Sequence, residues 1–266
     1  MLFEYECDSW EHLQEQVRLL NEEVFPPDDS GFHHQSPFLY RGQANSAWAL
    51  DTTLERAGIS IRKVSDYYRA IAVAKSQIES FTDRRWDGIN FPEIQKLFSE
   101  YDRPHFSGLP GYDYLVHLRH HGFPSPLLDW TRSLPIAAFF ACQEPKGDCV
   151  AVYAYQEYAG VGKLGSSNAS QIRVQGHNVR THPRHFLQQA EYTLCWHYLD
   201  GEWQFAPHGS VFDQNPDSQD RLWRFNLPAS EGSRVLRELD RFNINAFSLF
   251  QSEESLMSTL ARRVLR

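Results

Sequence analysis

The chain has 266 residues, of which 41% are hydrophobic and 23% are charged, so it is long enough for a globular protein with a sizeable core. Its formal net charge of −8 argues against broad, sequence-independent binding to nucleic acid or to an anionic membrane. Four cysteines without a CxxC pair, an N-terminus without signal-peptide features and the lack of an apolar run near ~20 residues predict a cytoplasmic protein with no membrane partner.

Helices dominate the elements predicted for the first half of the chain. Apolar residues at helical spacing predict the first of them, and Ser9 is its expected N-cap. The predicted elements are a helix over 9–24, a loop over 25–37, a strand over 38–43, helices over 51–57 and 66–82, an irregular segment over 83–111 and a helix over 112–122.

Strands are more frequent in the second half. The predicted elements are strands over 125–130, 147–155, 185–198 and 221–228, with helices over 133–143, 232–250 and 252–265. No repeat or long linker interrupts the chain. We therefore predict one α+β domain over 1–266, with a helix-rich part at 1–122, a strand-rich part at 123–228 and closing helices at 229–266.

A glycine motif follows one predicted strand. Gly160, Gly162 and Gly165 form a literal GxGxxG, which in dinucleotide-binding folds opens a helix. The residues that follow are poor helix formers, and no acidic residue occurs from 166 to 190 to bind a ribose. A flexible glycine loop is the better interpretation.

The first polar feature at a strand end is Arg41, which follows the apolar residues of FLYRGQ and precedes Gly42. A buried or half-buried guanidinium is costly unless it meets an anion. Two partners remain open from the residues alone: a structural carboxylate such as Asp129, or an anionic ligand.

The second feature is the run from Asp129 to Ser133, between a strand and an apolar helix. In a purely structural interpretation, Thr131 or Ser133 caps the helix and Asp129 pairs with Arg132. That interpretation explains the two hydroxyl residues well, but it does not explain why a tryptophan stands at position 130.

The third feature is the run from Gln188 to Tyr192. If it is a strand, Gln189 and Glu191 share one face, while Ala190 and Tyr192 share the other. An amide beside a carboxylate is consistent with a solvated sheet edge. It is also consistent with a pair that binds a sugar and orients a reactive centre.

The chain resembles the FRG domain over roughly residues 10 to 260. The residues that carry the resemblance are Tyr40-Arg41-Gly42-Gln43 followed by Trp48, His120 to Ser133, Ala137 to Ala141, and Leu239 to Phe250. Tyr40 replaces the phenylalanine that gives the family its name. Many members have Gly-x-Phe where this chain has Ala190, Glu191 and Tyr192.

A second, weaker resemblance is to ADP-ribosyltransferases of the arginine–serine–glutamate class. Arg41, then Thr131-Arg132-Ser133 before an Ala/Phe-rich helix, then Gln189-Ala190-Glu191, match the order of motifs in that class. It implies a mixed, mostly antiparallel β core with a helical insertion across 51–121. It also implies NAD as the substrate, no metal, and transfer of ADP-ribose to a protein, nucleic acid or small molecule, as a toxin or phage-defence effector would do.

The resemblance also assigns roles to the site residues. Glu191 would stabilise the oxocarbenium-like transition state, with Gln189 beside it and Thr131 supporting either the glutamate or the ribose. Arg41 would hold the pyrophosphate. The remaining residues expected to contact NAD are Gly42, Gln43, Asp129, Trp130, Ser133 and Tyr192, with Tyr153 as a further candidate for stacking on nicotinamide.

Other functions remain open. The same pocket could belong to a non-catalytic module that binds a nucleotide or a protein, or to an NAD hydrolase. His117, His120 and His121 share a predicted helical face, but no further ligand is spaced to complete a zinc site. The run 166–190 holds three arginines and three histidines, and it is either a solvated loop or a contact for phosphate groups.

Overall fold

Eight β-strands form one mixed sheet at the centre of the fold. The computed structural model describes residues 2–24, 38–87, 90–100, 109–157, 168–176, 178–214 and 220–265. The strands are β1 (Leu2–Glu6), β2 (Leu39–Gln43), β3 (Leu128–Thr131), β4 (Cys149–Gln156), β5 (Gln171–Val174), β6 (Ala190–Leu199), β7 (Glu202–Phe205) and β8 (Arg221–Pro228). Their order is β1–β8–β4–β2–β3–β6–β5, with β7 also paired to β6. Only β1 and β8 run parallel among these pairs, so the predicted α+β class with a mostly antiparallel core is confirmed.

The described ranges also contain eleven α-helices and a 3-10 turn at Ala229–Glu231. The helices are α1 (Trp10–Val24), α2 (Thr53–Arg56), α3 (Val64–Thr82), α4 (Phe91–Glu100), α5 (Tyr112–His120), α6 (Leu134–Cys142), α7 (Arg184–Leu187), α8 (Gly209–Gln214), α9 (Gly232–Arg241), α10 (Ala246–Phe250) and α11 (Glu253–Val264). None of the described helices combines the length and the apolar character needed to cross a membrane.

The predicted helical insertion is present, because α2 to α5 all lie between β2 and β3 in the chain. The expectation of irregular structure across 83–111 was wrong in one part, where α4 forms. Its apolar residues recur at helical spacing, and Ile94 and Phe98 are buried in the core of the insertion. The surrounding Pro, Gly and Asp residues favour turns, so the helical spacing of these few apolar residues was not recognised from the sequence.

Three short strands were not predicted: β1, β5 and β7. β1 is mostly exposed and pairs only with β8, and β5 and β7 have four residues each. Such short sequences carry too few alternations to distinguish a strand from a loop. Two predicted loops, at 25–37 and at Gly160–Gly165, lie outside the described residues.

The predicted helix over 232–250 is two helices, α9 and α10. Asn243 has φ +60°, a left-handed conformation that a continuous helix does not contain. The side chain of Asn245 then caps α10 by accepting a hydrogen bond from the backbone N–H of Ser248 at 2.9 Å. A helix stop and a new helix start therefore lie within three residues.

Three clusters of buried apolar side chains join these elements. The first lies between one face of the sheet and helices α1, α6 and α9, the second beneath the helical insertion, and the third on the opposite face of the central strands. β2 separates the first and third clusters, since Phe38 and Tyr40 belong to the first and Leu39 to the third. This alternation follows from the period of two along a strand.

Helix α6 lies directly on β2. Ser133 begins the helix by accepting a hydrogen bond from the backbone N–H of Ile136, as the capping interpretation predicted. A Cβ atom on Gly42 would lie 1.9 Å from the Ala137 carbonyl oxygen. The absence of a side chain at Gly42 therefore allows α6 to approach the strand, which gives this glycine a role in packing; its expected contact with a ligand stays a prediction.

Candidate functional site

A cavity of about 440 Å³ lies where β2, β3 and β6 meet the helical insertion and the segment that ends in α10. Its polar and charged lining residues are Arg41, Gln43, Arg56, Arg119, His120, Asp129, Thr131, Gln143, Arg184 and Gln188. Its aromatic lining residues are Tyr40, Trp48, Trp130, Phe140, Tyr192 and Phe250, and Gly42, Ala44 and Ala190 complete it.

The cavity is strongly basic. Among the described residues that line it, four are arginines and one, Asp129, is a carboxylate. This local excess of positive charge contrasts with the net charge of −8 for the whole chain. Clustered guanidinium groups in a cleft attract anions.

Arg41 extends from β2 into this basic environment. Its Nη1 donates a hydrogen bond to the backbone carbonyl of Asp129 at 2.7 Å, whereas its buried Nε has no partner in the described part of the chain. Burial lowers the pKa of Arg41 to about 10; Asp129 opposes this shift, while Arg119 and Arg56 add to it. The guanidinium therefore stays charged at neutral pH.

The Asp129 carboxylate forms an ion pair with Arg119 of α5. The expected pairing of Asp129 with Arg132 was wrong, because Arg132 pairs with Glu191 instead. The strand register explains the difference: Trp130 lies opposite Glu191, which brings the neighbouring Arg132 close to that carboxylate. Asp129 thus holds one arginine with its backbone oxygen and another with its side chain.

Glu191 is not among the described residues that line the cavity. It is 1% exposed, and its Oε1 accepts a hydrogen bond from Arg132 Nε at 2.8 Å. The register places Arg41 and Glu191 on one face of the sheet and Thr131 on the other. The cavity lining includes Arg41 and Thr131, whereas Glu191 is not part of the described lining although it shares a sheet face with Arg41.

Gln189 precedes β6 and is not part of a strand. Its φ is +47°, and its backbone carbonyl accepts a hydrogen bond from Arg132 N at 3.1 Å. The alternation that would put Gln189 and Glu191 on one face therefore does not apply. Its neighbour Gln188 lines the cavity instead and donates from Nε2 to the carbonyl of Leu249 at 3.1 Å.

The two hydroxyl residues of the strand–helix junction have structural partners. Thr131 Oγ1 donates to the Gln188 carbonyl at 2.7 Å and accepts from Ser133 N at 3.2 Å. Thr131 lines the cavity, whereas Ser133 is not in its described lining. These bonds fix the turn between β3 and α6 beside Gly42.

The aromatic residues expected to stack on nicotinamide are largely buried. Trp130 Nε1 donates to Thr193 Oγ1 at 2.8 Å, and its ring lies against Tyr155 with centroids 5.2 Å apart. Tyr192 is 1% exposed, and burial raises its pKa above the usual range. Tyr153 is 3% exposed and belongs to the third core cluster.

Comparison with known protein families adds one finding. Residues 36–148 match the model of the FRG domain. Searches of the curated proteins and of the solved structures found no match to it.

The FRG match covers the part of the cavity that β2, the insertion, β3 and α6 provide. Arg184, Gln188, Ala190, Tyr192 and Phe250 lie beyond its last residue. The resemblance that we described extends over more of the chain than the family model matches. No comparison supports the weaker resemblance to ADP-ribosyltransferases.

Sequence reasoning missed two arginines of this cavity, Arg56 and Arg119. Arg56 and Arg119 lie on helices of the insertion, where nothing in their local pattern distinguishes them from ordinary surface arginines. Arg184 belongs to the basic run 166–190, and its Nε donates to the Phe250 carbonyl at 3.2 Å. His177 of the same run lies outside the described residues.

His120 is a further lining residue that we had considered only as a metal ligand or a packing residue. Its Nε2 is 2.8 Å from the Tyr192 hydroxyl. Burial lowers the pKa of His120 to about 4, although Asp129 acts in the opposite direction. The imidazole is therefore neutral at pH 7. Within the described ranges no three His, Cys, Asp or Glu side chains are grouped to hold a metal ion.

Proposed function

We propose that the cavity of the FRG domain binds an anionic nucleotide. The observation that carries this proposal is the environment of Arg41: a half-buried guanidinium that meets a backbone carbonyl, in a cavity with four arginines and one carboxylate. A planar guanidinium matches the oxygens of a phosphate with two parallel hydrogen bonds. A ligand with phosphate groups supplies the anion that Arg41 lacks.

The uncharged lining supports a nucleotide over inorganic phosphate. Trp48, Phe140 and Phe250 offer aromatic surface on which a base or a nicotinamide ring can stack. Gln43 donates to the Ala49 carbonyl, while its buried Oε1 has no partner in the described part of the chain. That oxygen is an available acceptor for a ribose hydroxyl or an amino group. The cavity volume lies within the ~300–1,000 Å³ range of small-molecule sites.

The specific nucleotide that we propose is NAD, as the substrate of an ADP-ribosyltransferase-like reaction. The nicotinamide–ribose bond breaks with its electron pair leaving on nicotinamide, and an acceptor nucleophile takes the ribose carbon. Among the described residues that line this cavity the carboxylate is Asp129, which pairs with Arg119, and we assign to it the stabilisation of the cationic sugar; Glu191 is not in that lining and pairs with Arg132. The acceptor is a protein, a nucleic acid or a small molecule.

The burial of Glu191 favours a second candidate, a module that binds the nucleotide without cleaving it. In that case the carboxylate that the motif order suggested as catalytic is a structural partner of Arg132. An NAD hydrolase is the third candidate, and it differs from the transferase only in using water as the acceptor.

Calorimetric titration with NAD tests binding. We expect Arg41→Gln and Arg56→Gln each to weaken NAD binding at least ten-fold, whereas Arg18→Gln, at an exposed arginine on α1, leaves it unchanged. Arg56 is exposed, so its substitution tests the site even if Arg41→Gln destabilises the fold. Wild-type protein that binds neither NAD nor ADP-ribose overturns the proposal.

Nicotinamide release then separates the three candidates. A transferase releases nicotinamide and labels an acceptor, a hydrolase releases nicotinamide with free ADP-ribose, and a binding module does neither. Asp129→Asn should abolish release if Asp129 is the catalytic carboxylate. If Glu191→Gln loses nicotinamide release while NAD binding and the fold are retained, the catalytic carboxylate is Glu191, as the sequence predicted.

A further inference from the structure

A second cavity, of about 350 Å³, lies apart from the nucleotide site, between α6, α9 and α11. Its floor is apolar: Phe139 and Leu236 are buried, and Ile244 and Ala246 are half-buried. None of its lining residues lines the first cavity. An apolar floor of this kind favours the apolar part of a ligand.

Charge at the rim of this second cavity is again positive. Four arginines line it (Arg237, Arg241, Arg262 and Arg263), with Asp240 as the carboxylate among the described lining residues. Clustered arginines of this kind favour a carboxylate or phosphate ligand over a neutral one.

Asp240 is already occupied. It accepts hydrogen bonds from Arg263 Nε at 2.8 Å and Nη2 at 2.7 Å, and another from Asn245 Nδ2 at 2.9 Å. The bonds from Arg263 are the main cause of its lowered pKa. Asp240 and Arg263 therefore neutralise each other, so Asp240 does not compensate the charge of Arg237 and Arg241 at this rim.

Arg237 and Arg241 are the arginines that remain available. They lie one turn apart on α9, and neither has a carboxylate within ion-pairing distance among the residues that the structure describes. Like charges four residues apart on a helix repel each other. Arg262 is held differently, since its Nη2 donates to the Gln143 carbonyl at 2.9 Å. An anion at the rim relieves the repulsion on α9.

We propose that this second cavity binds a small amphipathic anion, a carboxylate or phosphate ester with a short apolar tail. The tail covers Phe139 and Leu236, while Arg237 and Arg241 bind the anionic group. An inorganic anion contacts only the arginines of the rim, and a neutral lipid contacts only the apolar floor. This inference is independent of the nucleotide proposal, because the two sites share no lining residue.

Calorimetry with octyl phosphate, below its micelle concentration, tests the proposal. We expect the Arg237→Gln/Arg241→Gln double variant to weaken binding at least ten-fold, and Arg18→Gln to leave it unchanged as the matched exposed-helix control. Ala246→Leu, which narrows the apolar floor, should weaken binding as well. Inorganic phosphate and octyl glucoside, which each carry half of the ligand chemistry, should bind at least ten-fold more weakly to the wild-type protein.

Four results would overturn the assignment. Three of them are the absence of octyl phosphate binding, binding that is unchanged in both cavity variants, and octyl glucoside binding as tight as that of octyl phosphate. Arg41→Gln provides the complementary check, because a loss of octyl phosphate binding there would place the ligand in the first cavity. Thermal unfolding of each variant confirms that the fold is retained before its affinity is compared.

Discussion

Replacing Gly42 by alanine tests how closely α6 is seated on β2. The added Cβ would lie 1.9 Å from the Ala137 carbonyl oxygen and 2.6 Å from the Ala141 nitrogen. Both atoms belong to the backbone of α6, so no side-chain rotation can relieve the overlap. Either the helix or the strand must move.

The size of that movement sets the expected loss of stability. Ordinary contact begins near 3.4 Å, so α6 has to retreat by about 1.5 Å at this point. Six of its residues are buried in the first core cluster, and a retreat opens their packing against the sheet. Overpacking typically costs about 1–3 kcal/mol, and a clash with backbone belongs at or above the upper end. We expect a loss of at least ~3 kcal/mol.

Urea unfolding, followed by tryptophan fluorescence and circular dichroism, measures this loss. Gly209→Ala is the matched control, because its Cβ would have no atom within 4 Å, and we expect a change within ~0.5 kcal/mol. A Gly42→Ala protein within 1 kcal/mol of the wild type would refute the reasoning, since it would mean that α6 yields at little cost.

Three further predictions concern contacts near the first cavity. Arg132→Gln removes the ion pair with the buried Glu191 carboxylate and should cost roughly 3 kcal/mol in urea unfolding; an Arg132→Gln/Glu191→Gln double variant that recovers none of the loss contradicts this. Trp130→Phe removes the donor to Thr193 Oγ1 and should cost about 1–2 kcal/mol; a stability equal to that of the wild type would show that another donor replaces it. Burial, with a smaller effect of Arg41, lowers the pKa of His208 from 6.5 to about 3, so the unfolded chain binds the proton first as pH falls. Its contribution to stability is complete above pH 6.5 and should fall by roughly 2–3 kcal/mol by pH 4.5, and His208→Gln should flatten the unfolding profile in that window.

The parts of the fold that repeat a local pattern were predictable. Trp10, Leu13, Val17 and Leu20 are buried along α1 as their helical spacing indicates. The apolar sequences of β4 and β8 predicted strands, and both strands are largely buried. In these elements the spacing of the apolar residues matches the face that is buried, so one sequence is enough to predict the element.

The cavity was predictable only in part, because its contacts depend on strand register and on left-handed residues. Asp129 pairs with Arg119 of α5 and not with Arg132, which is only three residues away in the chain. Sequence distance alone does not predict which of these two arginines Asp129 pairs with. Gln189 has a positive φ and therefore does not follow the alternation of a strand. Gln188, and not Gln189, is among the described residues that line the cavity. Sequence order did identify Arg41 and Thr131 as neighbours of one site.

The position of the FRG match in the sheet has a consequence for protein engineering. A fragment limited to residues 36–148 would contain β2 and β3 but neither β4, which pairs with β2, nor β6, which pairs with β3. Both strands would then expose unpaired backbone N–H and C=O groups along their outer edges. The stretch that sequence comparison recognises is therefore smaller than the sheet to which its strands belong, and deletion studies should keep β4 to β8 with it.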